Sequence, residues 1–187
     1  MAKNITAYLQ GPVLYACVFP SNMKKEGQYV PEGGEYTIMI GLDKDDAKLV
    51  KKWNRLYVGK DRDSFEEPKQ GSDEPREVPE GFVDGVQYFT FRRRNKVWKK
   101  NGELIEEWSG APEVVDADDN PWDPEVMIGN GSICSIKLDV FMGKNAEGKD
   151  YTSVRVDKIR VDQHVPYEAP EKEEVETETV SRVKVPF

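Results

Sequence analysis

The sequence of 187 residues has few of the side chains on which enzymes and metal sites depend. A single histidine, His164, excludes a His-rich zinc site and disfavours His-based acid–base catalysis. The two cysteines, Cys17 and Cys134, are far apart and form no CxxC motif, which is typical of reduced core residues. A helix-spaced metalloprotease motif, a phosphate-binding glycine loop and a GxSxG elbow are also missing. We therefore expect no enzyme, no metal and no cofactor.

Long apolar runs are missing as well. No stretch approaches the ~18 apolar residues that a membrane-spanning helix needs. The start of the sequence, MAKNITAYLQGP, lacks the basic and apolar regions of a secretory signal. Only 37% of the residues are hydrophobic, so part of the chain should lie outside the core. The sequence predicts one soluble cytosolic domain over residues 1–167, with no membrane association.

Most of the regular patterns that are present are those of β-strands. Short runs of apolar, β-branched and aromatic residues are bounded by turn residues, and two long segments alternate with period two. In the second alternating segment the phase changes after Val156, which indicates a bulge. The strand segments are residues 12–20, 35–42, 85–94, the start of 112–125, 132–143 and 151–165, and residues 96–100 either continue the third or pair with it.

One segment has helical periodicity instead. In residues 43–58, Ala47, Val50 and Trp53 recur at three-residue steps, and Asp43 is a candidate N-cap. Residues 60–81 that follow are polar and predict a long surface loop. One helix among five or six strands favours a small closed β-barrel or sandwich.

The stretch FTFRRRNKVWKK (89–100) concentrates positive charge in a chain whose formal net charge is −8. Period two on a strand predicts that Phe89 and Phe91 lie in the core, while Tyr88 and Trp98 lie outside with the cations. Exposed rings among cations suit a single nucleic-acid strand, since rings stack on bases and cations bind phosphates. The alternative is a basic edge strand that prevents aggregation. The cations are Arg92, Arg93, Arg94, Lys96, Lys99 and Lys100.

A second, weaker basic group lies on the second half of the predicted helix and just after it. It could flank the same groove, although helix surfaces often have this composition. Its members are Lys51, Lys52, Arg55, Lys60 and Arg62.

The acidic loop DADDNPWD (116–123) begins like a calcium-binding loop. Pro121 stands where such a loop needs glycine, and Met127 where it needs glutamate, so an EF-hand is excluded. A turn is the simpler interpretation. A metal-dependent nuclease would have to use Asp116, Asp118, Asp119 or Asp123.

Residues 168–187 form a distinct acidic tail, with six glutamates against three basic residues. Few of its side chains could pack in a core, so we expect it to be disordered in isolation. It ends in an aromatic residue, Phe187.

Taken in order, the segments of residues 81–187 resemble the single-stranded DNA-binding proteins of short-tailed phages. The resemblance is carried by PEVVDADDNPWD (112–123), IGNGSICSIKLDVF (128–141), SVRVDKIRV (153–161) and the acidic tail that ends in Phe187. It implies an OB-fold barrel of five strands with an inserted helix, and a basic, aromatic groove for single strands. It also implies dimerisation, strand annealing, and a tail that competes for the groove and binds the phage DNA polymerase or helicase-primase.

The last eight residues depart from the family pattern because they carry Arg182 and Lys184. The groove competitors should then lie upstream of them, with Phe187 as part of the partner-binding segment. These competitors are Glu171, Glu173, Glu174, Glu176 and Glu178.

The sequence therefore predicts a sequence-tolerant single-stranded DNA-binding protein. The resemblance places it in phage replication, recombination and repair, in the cytoplasm of the infected bacterium. An RNA-binding OB-fold protein would use the same chemistry and remains an alternative. The nuclease is the alternative from another class.

Overall fold

The computed structural model describes residues 3–53, 65, 68, 71–144 and 147–168. Within these ranges the fold is mainly β with one α-helix, which confirms the predicted class. The described residues form six strands, within the predicted five or six, and the short β4 lies in the segment 112–125 that was predicted to begin with a strand. The elements are β1 (Lys3–Cys17), β2 (Glu35–Leu42), α1 (Lys44–Trp53), β3 (Gln87–Arg94), β4 (Glu113–Val115), β5 (Ile133–Lys144) and β6 (Asp150–Gln163).

The described strands form one open sheet in the order β3-β2-β1-β5-β6-β4. The sheet curls so that its edge strand β3 contacts β6 without strand pairing, and we call this curled sheet the barrel. Neighbouring strands are antiparallel except β4 and β6, which are parallel. β1 belongs to both halves of the sheet: residues 3–12 pair with β5, and Val13, Leu14 and Cys17 pair with β2. The register shifts beside Tyr15, whose φ of +51° marks the bend. The prediction that the first strand begins at residue 12 is wrong, because Ile5, Ala7 and Leu9 alternate with polar or exposed residues and their side faces the core.

The core lies inside the curled sheet. It includes Phe89 and Phe91, which are 0% and 3% exposed, as the alternation predicted. Burial of each large apolar side chain stabilises the folded state by about 1.5–3 kcal/mol relative to leaving it exposed. The other strands contribute Leu9, Val13, Ile38, Ile40, Ile136, Leu138, Ile159 and Val161 to the same cluster.

The helix α1 packs on this core. The Asp43 carboxylate accepts hydrogen bonds from the backbone N–H groups of Asp45 and Asp46 at 2.9 and 2.8 Å, which confirms the predicted N-cap. Ala47, Val50 and Trp53 are buried, so the predicted apolar face is also confirmed. The predicted continuation to residue 58 lies outside the described residues.

Arg93 joins the two sides of the barrel where β3 lies against β6. Its guanidinium donates to the carbonyl oxygens of Val156 (3.1 Å), Gly110 (2.8 Å) and Ser109 (3.2 Å). The side chain is only 8% exposed, and burial lowers its pKa. The prediction that Arg93 lies outside with the other cations is therefore wrong. Arg93 follows Phe89 and Phe91 at two-residue steps along β3, so its side chain points to the same, inner side of the sheet.

Tyr88 is also buried, at 0% exposure, and the prediction that it offers a free ring is wrong. It packs with Leu14, Met39 and Phe65 in a second apolar cluster on the outer face of β2 and β3. Its hydroxyl accepts a hydrogen bond from the Val83 N–H at 3.0 Å, and burial raises its pKa. Apolar residues of the segment between α1 and β3, predicted to be a surface loop, cover the ring.

The predicted bulge in β6 is confirmed. Lys137 pairs with Lys158 and Leu138 with Val156, so Asp157 is the extra residue. Its carboxylate lies 2.6 Å from the Lys137 amine and 3.8 Å from the Arg93 guanidinium. The bulge thus supplies a carboxylate beside the buried guanidinium.

Candidate nucleic-acid interface

The chain beyond β3 folds back as a small hairpin, residues 96–105, which we call the basic hairpin. The Lys99 N–H donates to the Glu103 carbonyl and the Ile105 N–H to the Val97 carbonyl, both at 2.8 Å. Gly102 occupies the turn with a φ of +84°, a conformation that favours glycine. Residues 96–100 therefore pair with the segment that follows them; they neither continue β3 nor pair with it.

Two polar side chains hold the base of the basic hairpin, Asn95 against the barrel and Ser109 between the two arms of the hairpin. The Asn95 amide donates to the Gly33 carbonyl at 2.8 Å, and its oxygen accepts from the Tyr36 hydroxyl at 3.1 Å. The Ser109 hydroxyl accepts from the Val97 N–H at 3.0 Å. Since Arg93 also binds the Ser109 carbonyl, the buried guanidinium holds the same base.

The basic hairpin exposes an aromatic ring among cations. Trp98 is 50% exposed, and the Lys96 amine lies 6.0 Å from its ring centroid, within cation–π range. Lys99 pairs with Glu103 at 3.0 Å on the surface, where such a pair contributes about 0–1 kcal/mol. Lys100 is exposed beside it. The ring is thus open to stack on a base, and the amines are accessible to phosphates.

Two further predicted phosphate ligands lie at the end of β3, next to the basic hairpin. Arg92 and Arg94 are both exposed. Arg92 binds the buried Glu35 carboxylate at 2.9 Å, so part of its charge is already compensated. Five of the six predicted cations therefore lie together on the surface, and Arg93 is the exception.

The second basic group lies elsewhere. Lys51 and Lys52 are exposed on α1, which follows the Leu42 end of β2, whereas the basic hairpin follows the β3 residue paired with Glu35. Glu35 and Leu42 are seven residue steps apart along β2, which separates the two ends of the strand by about 23 Å. Lys51 lines a cleft of about 740 Å³ with Phe82 and Val86. The predicted Arg55, Lys60 and Arg62 lie outside the described residues.

Sequence reasoning missed a third polar surface, the outer face of β1, β5 and β6. Tyr8 is 72% exposed there and lies opposite Lys137 in the β1–β5 register. Arg155 of β6 binds Asp139 of β5 at 2.6 Å. The alternation of residues 132–143 already placed Lys137 on the outer face, but Tyr8 was missed because residues 3–11 were not predicted to be a strand.

The acidic loop forms a turn held by its own side chains. The Asp116 carboxylate accepts the backbone N–H groups of Asn120 and Asp118, both at 2.9 Å. These hydrogen bonds, the Asn120 N–H first, hold the pKa of Asp116 below its usual value. Asp119 binds Lys158 at 3.1 Å. Across the described part of the chain, no three metal-ligating side chains are grouped.

The predicted tail sites lie in residues 169–187, outside the described residues. Among the helical residues that are described, none belongs to a helix long and apolar enough to cross a bilayer.

No protein-family model matches the chain, and no curated protein sequence matches it. The fold is similar to that of gp2.5, the single-stranded DNA-binding protein of bacteriophage T7, with a TM-score of 0.51 and 19% identity over 92% of this chain and 98% of that one. The single-stranded DNA-binding protein of bacteriophage Enc34 has a TM-score of 0.45 and 15% identity, over 91% and 87% of the two chains. At these identities the similarity concerns the fold.

Proposed function

We propose that this chain binds single-stranded DNA, without sequence preference and without catalysis, through the basic hairpin and the adjacent end of β3. The observation that carries the proposal is the half-exposed Trp98 ring with Lys96 above it and Lys100 beside it. The fold shared with a phage protein that binds single-stranded DNA supports it, as does the resemblance in sequence.

In the proposed complex, a base stacks on Trp98, which is worth about 1–3 kcal/mol and suits any base because every base has a π-face. The neighbouring cations neutralise phosphates. In a duplex the bases are already paired and stacked on one another, so no free base face is available for the Trp98 ring. The proposed phosphate ligands are Arg92, Arg94, Lys96, Lys99 and Lys100.

Titration of the full chain with oligo-dT tests the proposal. Tryptophan fluorescence should be quenched in the wild type, and Trp98→Ala should lower the affinity by about 5-fold or more. Tyr167→Ala is the control, because Tyr167 is an exposed ring (56%) outside the proposed site. Equal affinities of the wild type and Trp98→Ala would refute the role of the ring. Competition with a matched RNA oligomer shows which nucleic acid is preferred.

We further propose that residues 1–167 form the binding domain and that residues 168–187 act as its competitor and as a partner-binding segment. The excess of six glutamates over three basic residues supports electrostatic competition for the cations. By the family resemblance, the partners are the phage DNA polymerase and helicase-primase, with Phe187 in the contact. Such a protein would act in DNA replication and recombination inside the host cell, and could act as a homodimer.

Deletion of residues 168–187 tests the tail. The truncated chain should bind oligo-dT more tightly than the full chain at low salt, with a smaller difference at high salt because screening weakens the competition. It should also lose association with the polymerase or helicase-primase. Unchanged DNA affinity at low salt would show that the tail does not compete for the cations.

A further inference from the structure

The surface that OB-folds most often use is closed in this protein. Oligonucleotides usually bind across the face of the second and third barrel strands. Here that face is covered, because Met39 and Tyr88 pack under Phe82 and Val86 of the segment that precedes β3. Thr37, farther along β2, is only 2% exposed. A strand bound at the basic hairpin must therefore continue over a different face.

Trp108 lies between the basic hairpin and the outer face of β6. It lies in a short 3-10 helix directly after the hairpin, where its N–H donates to the Ile105 carbonyl at 3.2 Å. Its ring is 46% exposed. The guanidinium of Arg155 lies 5.9 Å from the ring centroid, and Arg155 belongs to β6. A second ring–cation pair thus lies where the short 3-10 helix after the basic hairpin meets β6.

A third pair lies on the same outer face. Arg155 is opposite Asp139 in the β5–β6 register, and Lys137 is two residues from Asp139 and so on the same side of β5. Lys137 is in turn opposite the highly exposed Tyr8. Two strand spacings and one two-residue step put the backbones of Arg155 and Tyr8 about 12 Å apart.

We propose that this outer face is a second segment of the binding site, on which a single nucleic-acid strand runs from the basic hairpin over β6 and β5 to β1. The inference rests on the proposed function and names the path that a strand takes. Each step of the path offers a ring for a base and a cation for a phosphate. The pairs are Trp98 with Lys96, Trp108 with Arg155, and Tyr8 with Lys137.

The carboxylates on this face hold the cations in place. Lys137 binds Asp157 and Arg155 binds Asp139, both at 2.6 Å, with every one of these side chains between 25% and 37% exposed. Pairs so near the surface are weak, so phosphate oxygens can replace a carboxylate. Arg155 also keeps donors that are not directed at Asp139, because a guanidinium has five N–H groups. The face can therefore accept a strand without rearranging the backbone.

Binding of the full chain to an oligo-dT of about 16 nucleotides tests the path. Tyr8→Ala and Trp108→Ala should each lower the affinity by about 5-fold or more, while Tyr167→Ala should leave it unchanged. Lys137→Gln should reduce the salt slope by about 0.7. Equal thermal midpoints of these variants show that the fold is kept.

Fluorescence provides a second readout of the path. In Trp98→Phe, part of the quenching by oligo-dT should remain, and Trp98→Phe/Trp108→Phe should lose that part. If Tyr8→Ala and Trp108→Ala bind like the wild type while Trp98→Ala binds weakly, the path is refuted and the proposed function stands. If the wild type does not bind oligo-dT at all, both are refuted.

Discussion

β3 and the basic hairpin that follows it are similarly rich in rings and cations, yet the barrel uses them differently. In β3, Tyr88 and Arg93 are buried, whereas in the hairpin Trp98 and Lys100 are exposed. β3 pairs with β2, has core on one face and the second apolar cluster on part of the other, and lies against β6. The basic hairpin lies beyond the end of the β2–β3 pairing, and Asn95 and Ser109 hold its base. Position relative to the barrel, more than composition, decides whether a ring or cation stabilises the fold or is accessible to a ligand.

The largest effect expected from this comparison is on stability. Arg93→Met should lower the free energy of unfolding by about 3 kcal/mol, because it leaves buried carbonyls without donors. Arg94→Met, one residue along and exposed, should change it by about 0.5 kcal/mol or less. Urea denaturation measures both. A comparable loss in the two variants would show that burial does not separate these neighbours.

Loss of the exposed ring should act on binding instead. Trp98→Ala should weaken binding of oligo-dT by about 1–3 kcal/mol and leave the urea midpoint close to that of the wild type. Fluorescence anisotropy of a labelled oligomer gives the affinity independently of tryptophan emission. A large fall in the urea midpoint would mean that Trp98 supports the fold.

The buried ring should show the opposite behaviour. Tyr88→Phe removes the acceptor of the Val83 N–H while keeping the ring, and should cost about 1 kcal/mol of stability. The affinity for oligo-dT should not change. Weaker binding by Tyr88→Phe in a fully folded sample would return Tyr88 to the binding site.

The smallest expected effect distinguishes the cations. Arg94→Gln should make the slope of log K against log salt shallower by about 0.7, since one phosphate contact is lost. Arg92→Gln should change the slope less, because Arg92 is already paired with the buried Glu35 at 2.9 Å. Equal changes would indicate that the Arg92 pair opens on binding.

Local pattern predicted the features that depend on neighbours in sequence. Period two placed Phe89 and Phe91 in the core and located the bulge beside Val156, and the Asp43 cap followed from a short acidic motif. Each depends on residues within a few positions along the chain. The Asn101-Gly102 pair in the turn of the basic hairpin is a local signal of the same kind.

The errors concern contacts between distant segments. Arg93 alternates in phase with Phe89, but its burial is favourable only because Val156 of β6 and the segment of Ser109 and Gly110 supply carbonyl acceptors. Tyr88 is buried because residues far along the chain, including Phe65, fold over it. Tyr8 lies opposite Lys137 only because β1 pairs with β5. Such long-range contacts leave no periodic signal in the sequence.

The salt dependence of oligo-dT binding by the full chain tests the central claim most directly. Five exposed cations at the basic hairpin and the end of β3 predict a slope near −3.5 in log K against log salt from this part of the site alone. Phosphate contacts of Arg155 and Lys137 would steepen this slope. The affinity should then fall at least about 100-fold between about 50 and 200 mM salt, with tryptophan quenching at every salt concentration where the complex forms. Absence of binding, or an affinity independent of salt, would contradict the account.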